Sequence, residues 1–184
     1  YLEYNTDRCP DKLRRPTFKE LYEKPKLMFN RLGSLMVILD AEVKFLNSDS
    51  MYSAVLWKDL EGVHNKSISA SIKRYSNFSR KEMVDFSRSV DLRYLLAVLN
   101  SKYATILLSN LRGGDYHIYP EHIRNLPIPK ISEKEQSLFV ALVDKILAGK
   151  EKGVDTKVLE DQIDIMVYKL YNLTYEEVKI IDPK

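Results

Sequence analysis

The sequence predicts an α+β fold: an antiparallel, hairpin-rich body over residues 1–131, then an α-helical hairpin over residues 132–184. Three observations lead there. Short stretches rich in Val, Ile, Phe and Met crowd between residues 26 and 57 with no helix between them, which favours hairpins over βαβ units. From Asp91 onward, apolar residues recur at helical spacing. Beyond Ile131 the pattern is helical to the end and carries two capping signals.

The elements follow in order. Residues 14–22 predict a short helix or turn, entered through Pro16 and stopped before Pro25. Strands are expected over Lys26–Leu32, Ser34–Leu39, Glu42–Leu46 and Met51–Trp57, separated by Gly33, Asp40 and the Asn47–Ser50 turn. Ser67 to Tyr75 alternates through Ile68, Ala70 and Ile72, which predicts an edge hairpin. A helix capped by Asp91 gathers Leu92, Leu95, Leu96, Leu99, Tyr103, Ile106 and Leu107 on one face, and Arg112-Gly113-Gly114-Asp115 stops it. Prolines at 120, 127 and 129 make the next segment a rigid spacer. Ser132 with Glu135 then opens a helix with Leu138, Phe139, Leu142, Val143, Ile146 and Leu147 turned inward. A break over Gly149–Gly153 separates it from a partner helix carrying Leu159, Ile163, Met166, Val167 and Leu170. Thr174 with Glu177 caps a last short helix.

Composition narrows the function classes. With 45% hydrophobic residues in 184, the chain can bury a sizeable core. Cys9 is the single cysteine, so no internal disulfide framework exists and a reducing, cytoplasmic setting is expected. No apolar run approaches the ~20 residues that cross a bilayer. The chain opens at Tyr1 and reads as a fragment of a longer protein. Residues 1–131 hold 21 Lys/Arg against 15 Asp/Glu, and residues 132–184 hold 8 against 11. A basic body with an acidic tail suggests a polyanion partner for the first part. The charge concentrates between His64 and Lys81, where five serines and five cations stand with no acidic residue among them.

Catalytic signatures are sparse. Neither a dinucleotide-binding nor a phosphate-loop glycine pattern occurs. His64, His117 and His122 lack Cys or carboxylate partners at metal-ligand spacing. Glu42 and Lys44, on a predicted strand after Asp40, form half of a metal-dependent nuclease pattern, in which a carboxylate holds Mg²⁺ and an amine assists the attacking water. The nearest upstream acidic residue beside a proline is Asp11, outside the expected sheet, so this Mg-dependent nuclease is the alternative reading. A purely protein-interacting module is a third.

From Leu92 onward, Leu95-Leu96-Ala97-Val98-Leu99-Asn100-Ser101 precedes a turn at Gly113-Gly114; Leu126-Pro127-Ile128-Pro129 then leads into Glu135-Gln136. This order of motifs resembles the target recognition domains of DNA specificity proteins. Arg14-Arg15-Pro16, Lys24-Pro25-Lys26-Leu27 and Asp40 look like the TaqI-like C-terminal specificity domain of fused methyltransferase–endonucleases, and the tail over Ile163–Thr174 is similar to the ending of the same enzymes. The resemblance implies sequence-specific recognition of double-stranded DNA within a restriction–modification enzyme, adenine-specific by type. Its methyltransferase and endonuclease domains, with S-adenosylmethionine and Mg²⁺, would lie outside this fragment, which would have no catalytic, cofactor or metal residues of its own. Lys66, Lys73, Arg74, Arg80 and Lys81 are the expected phosphate contacts, with Arg112 and Gly113 near the backbone. His64, Asn65, Asn77, Tyr116 and His117 are the expected base readers. The helical hairpin is expected to space and dock the domain.

Overall fold

A computed structural model of the chain describes residues 18, 20–45 and 50–183. Cys9, Asp11, the Arg14-Arg15-Pro16 opening and residues 46–49 lie outside them.

The fold is α+β. Helix α1 (Glu20–Glu23) leads into strand β1 (Lys26–Asn30), followed by β2 (Val37–Asp40) and β3 (Met51–Ala54). They form an antiparallel sheet in the order β2-β1-β3, with Leu27 opposite Leu39 and Phe29 opposite both Val37 and Tyr52. Residues 42–45 do not make the expected strand. The Asp40 carboxylate turns the chain there, accepting the amides of Lys44 at 2.8 Å and Phe45 at 3.0 Å. A short acidic side chain that takes backbone donors in this way competes with a strand ladder. The third strand also ends early, and Trp57–Leu60 tightens into a 3-10 turn.

Where an edge hairpin was expected stands helix α2 (Lys66–Arg74). Ile68 and Ile72 are four apart, so their spacing serves a helix as well as a strand. The choice is made at Asn65, whose backbone is extended and whose Oδ1 accepts the Ile68 amide at 2.9 Å, an N-cap. Helix α3 (Arg80–Arg88) begins after Ser79, which forms a capping box with Glu82.

The single helix expected after Asp91 is two, α4 (Leu92–Leu99) and α5 (Lys102–Arg112). Asn100 breaks it by reaching across to the sheet. Its Oδ1 accepts the Val37 amide at 2.9 Å and its Nδ2 donates to the Val37 carbonyl at 2.8 Å. Ser101 caps α5, and Asp164 accepts the Lys102 amide at 2.9 Å. The proline segment also differs from a plain spacer, because Pro120 starts a short helix α6 (Pro120–Arg124) at the position where its missing N–H costs nothing. Helices α7 (Glu133–Glu151), α8 (Lys157–Leu170) and α9 (Tyr175–Ile181) complete the chain, with both expected capping boxes formed.

Helix α4 is the centre of the packing. It contacts the sheet on one side and α7 and α8 on the other, and Tyr94, Leu96, Ala97, Val98 and Leu99 are all buried. One hydrophobic core joins Leu27, Phe29 and Val37 to Val98 and Leu108, and these to Phe139, Val143, Ile146, Ile163 and Val167. Each such side chain contributes about 1.5–3 kcal/mol by leaving water. Leu138 and Leu147, expected inward, are 61% and 37% exposed because α7 turns a narrower face to α4. Joints outside the sheet hold the layers together. Gln136 accepts the Asp91 amide and donates to the carbonyls of Ser89 and Ile131. The hydroxyls of Tyr94 and Tyr171 donate to the carbonyls of Pro129 and Pro127.

Candidate nucleic-acid interface

The serine- and cation-rich stretch folds into α2, the turn over residues 75–79, and the start of α3. Only Ile68 of α2 is buried. Lys66, Lys73, Arg74 and Lys81 are exposed, and none of the four makes an ion pair among the described residues. Elsewhere cations do pair: Arg93 with Asp91 and Asp144, Lys102 with Asp161, Asp164 and Asp182, and Lys157 with Asp161. Lys73 and Arg74 sit in the last turn of α2, where a cation suits the helix dipole. Lys66 sits in the first turn, where the dipole disfavours it, so helix stability does not account for it.

The remaining residues of the stretch divide. Arg80 donates to the carbonyls of Leu60 and Val63, each at 2.7 Å, and lies 3.5 Å from His64 Nδ1. It braces α3 against the loop after the 3-10 turn, which commits much of its guanidinium. Asn65 is likewise committed, since its carbonyl oxygen caps α2. Asn77 stands exposed in the turn and His64 is exposed beside Arg80.

A second group gathers where the loop after α5 crosses the end of β1. Gly113 ends α5 in the left-handed region at φ 59, a conformation glycine adopts freely. Arg112 donates to the Gly33 carbonyl at 2.6 Å, so it too acts as a brace. Gly33 donates to the Tyr116 carbonyl at 3.1 Å, Ile118 donates to the Arg31 carbonyl at 2.8 Å, and Leu32 bridges to His117. These bonds hold Tyr116 out at 67% exposure. Asp115 accepts the His117 amide at 2.8 Å and lies 3.2 Å from its Nδ1; the amide, with the ring beside it, holds this carboxyl below its usual range. The His117 ring stacks on Tyr119 at 6.0 Å, and His122 meets Tyr119 edge-on at 5.5 Å.

The carboxyl of Glu121 on α6 is held below its ordinary value by its own backbone amide, with the charge and hydrogen bond of Arg124 adding to the effect. Tyr75, Phe78 and Tyr119 are exposed and His122 is half-buried, and none of them is among the residues expected to touch DNA. Their signal in the sequence is aromatic side chains interleaved with cations, a composition that base-stacking surfaces also use.

The nuclease alternative needed Asp40, Glu42 and Lys44 together on a sheet face. Asp40 is 2% exposed and committed to Lys26, while Glu42 and Lys44 pair with each other in the loop, well exposed. Among the described residues no three His, Cys, Asp or Glu side chains converge as metal ligands, and no helix is long and apolar enough to cross a membrane. Compared with protein-family models, curated proteins and solved structures, the chain gives no match.

Proposed function

We propose that the chain recognises double-stranded DNA by sequence, as the cytoplasmic specificity domain of a restriction–modification enzyme. The observation that carries this reading is the surface of α2 and α3. Lys66, Lys73, Arg74 and Lys81 stand in solvent without an ion pair among the described residues, on a stretch with no acidic residue from His64 to Lys81. Such a surface suits a row of phosphates, whose released counterions supply sequence-independent affinity. Phosphate contact fixes register but carries no sequence information. Reading falls to exposed polar side chains beside the cations, with Tyr116, His117, Asn77 and His64 facing base edges in the major groove.

In this reading the chain's own residues bind and orient the duplex. Methyl transfer with S-adenosylmethionine, and cleavage with Mg²⁺, belong to methyltransferase and endonuclease domains of the parent enzyme, to which the flipped target base is presented. The residues that carry the resemblance act mainly as joints. Asn100 ties α4 to the sheet, Gln136 ties α7 to the start of α4, and the two prolines are pinned by tyrosines. Joints of this kind would hold a reading surface at a set distance from a catalytic partner.

Selection of bound duplexes from a random pool tests the proposal directly. It is expected to enrich one defined motif, and recovery of unselected sequence would refute specificity. Lys73→Ala with Arg74→Ala should weaken binding to every duplex alike and lower the salt slope by about 2, near 0.9 per lost phosphate contact. An unchanged slope would take these side chains off the DNA.

A further inference from the structure

Three aromatic side chains in the turn and helix that follow Lys73 and Arg74 are well exposed. Phe78 is 58% exposed, Phe86 49% and Tyr75 37%. They line one groove of about 430 Å³ together with Trp57, Met83 and Ile128. Several polar groups around the groove are already used. Gln136 holds the Asp91 amide and two carbonyls, the Tyr94 hydroxyl donates to Pro129, and Ser87 Oγ accepts the Lys58 amide while donating to Val84. Lys130 lies over the Phe86 ring at 5.3 Å, so a cation shares the groove with its aromatic wall.

Phe78 stands at its outer lip, and its backbone is fixed on both sides. Its amide donates to the Tyr75 carbonyl at 2.9 Å, and the next residue, Ser79, is locked into the capping box of α3. Lys73, Arg74 and Lys81 are exposed within five residues of it, so the surroundings of this apolar tip suit a polyanion better than an apolar protein face.

We propose that Phe78 is a wedge that enters a base step of the bound duplex, backed by Tyr75, while Lys73, Arg74 and Lys81 neutralise the flanking phosphates. Apolar side chains used in this way unstack a step and kink the helix axis. The proposal rests on the DNA-recognition reading and adds to it a deformation of the duplex and the residue that causes it.

The test uses the whole chain and a mixed-sequence duplex containing TA steps, with 2-aminopurine beside one step and a donor–acceptor dye pair at the ends. The chain should raise 2-aminopurine emission and shorten the end-to-end distance. Phe78→Ala should abolish both and weaken binding about tenfold, the scale of one lost base–aromatic contact. Its salt slope should stay unchanged, since no charge is removed. Phe78→Leu, still an apolar wedge, should keep most of the unstacking and also shows that the site tolerates substitution. Phe78→Ala binding with undiminished 2-aminopurine emission would overturn the wedge and leave the DNA reading standing. Unaltered DNA binding and bending by Phe78→Ala, with loss of self-association instead, would make the groove a protein-docking site and also overturn it. No binding by the unmutated chain at low salt would bring down the DNA reading and the wedge with it.

Discussion

Replacing Lys26 with methionine should remove a large part of the stability of this fold. Lys26 and Asp40 face each other across the end of the β1–β2 ladder, and their side chains are 0% and 1% exposed. The ammonium also donates to the Tyr22 carbonyl at 3.2 Å, and the carboxylate holds the loop through the amides of Lys44 and Phe45. Methionine fills much of the same volume but leaves a carboxylate buried without its counter-charge. Breaking one partner of a buried pair costs about 3–5 kcal/mol, against a total stability of about 5–15 kcal/mol. With a urea slope of about 2 kcal/mol per molar, the midpoint at neutral pH should fall by about 1.5–2.5 M. Asp40→Asn added to Lys26→Met should recover part of the loss, because the amide carries no charge and still accepts one backbone bond. A midpoint shift below about 0.5 M for Lys26→Met would show that the pair does not anchor the sheet.

The same variant has a signature in pH. Burial pushes the Asp40 carboxyl upward, but the Lys26 ammonium and the amides of Lys44 and Phe45 outweigh it and hold it below its ordinary 3.8. A carboxyl held low stabilises the fold above its unfolded value, and that contribution is lost as pH falls through the folded value. Without Lys26 burial prevails and the carboxyl rises. The deficit of Lys26→Met should therefore shrink as pH is lowered through the carboxylate range, measured by urea titration at each pH. A deficit that stays constant would show that loss of packing, not of charge pairing, is responsible.

Two further outcomes follow from other joints. Asn100→Ala should cost about 1–3 kcal/mol by removing two bonds to the Val37 backbone. Asn100→Asp should be worse at neutral pH, because an oxygen then faces the Val37 carbonyl, and should improve below about pH 4 as the carboxyl protonates and can donate; thermal melts of the two variants decide it. Ending the chain after Lys130 removes Phe139, Val143, Ile146, Ile163 and Val167 from the shared core. That variant is expected to lose cooperative unfolding in circular dichroism, and a sharp transition close to that of the whole chain would show that residues 1–130 fold independently.

What could be read from the sequence was what neighbouring residues decide among themselves. Ser132 with Glu135, and Thr174 with Glu177, marked their helix starts because a capping box closes within one turn. Gly113 marked the end of α5 for the same reason. Several errors fall where a distant residue decides, although the helix over 66–74 is set by its own cap at Asn65. The apolar period runs unbroken from Leu99 to Tyr103, and the bonds of Asn100 to Val37, sixty-three positions away, fix the break beside the Ser101 cap. Asp40 does turn the chain, as its place between strands suggested, but its pairing with Lys26 is visible only once β1 and β2 lie opposite each other. In the surface stretch the cations were evident from composition. The commitment of Arg80 and Arg112 to carbonyls was not, nor was the outward set of Phe78, since both depend on how loops return to the body.

The central position of α4 also dictates the timing of folding. A helix apolar on nearly every side has no face that can rest against water, and its coverings are made at different times. The sheet precedes it on the nascent chain, whereas α7 and α8 emerge roughly forty to seventy residues later. Until then the ribosome displays a sheet with half its roof and a greasy helix above it. Contacts between such distant parts slow the search for the native state and leave apolar surface open to collision in the meantime. Substitutions in the acidic C-terminal hairpin that weaken its docking should therefore show first as poor yield of soluble protein.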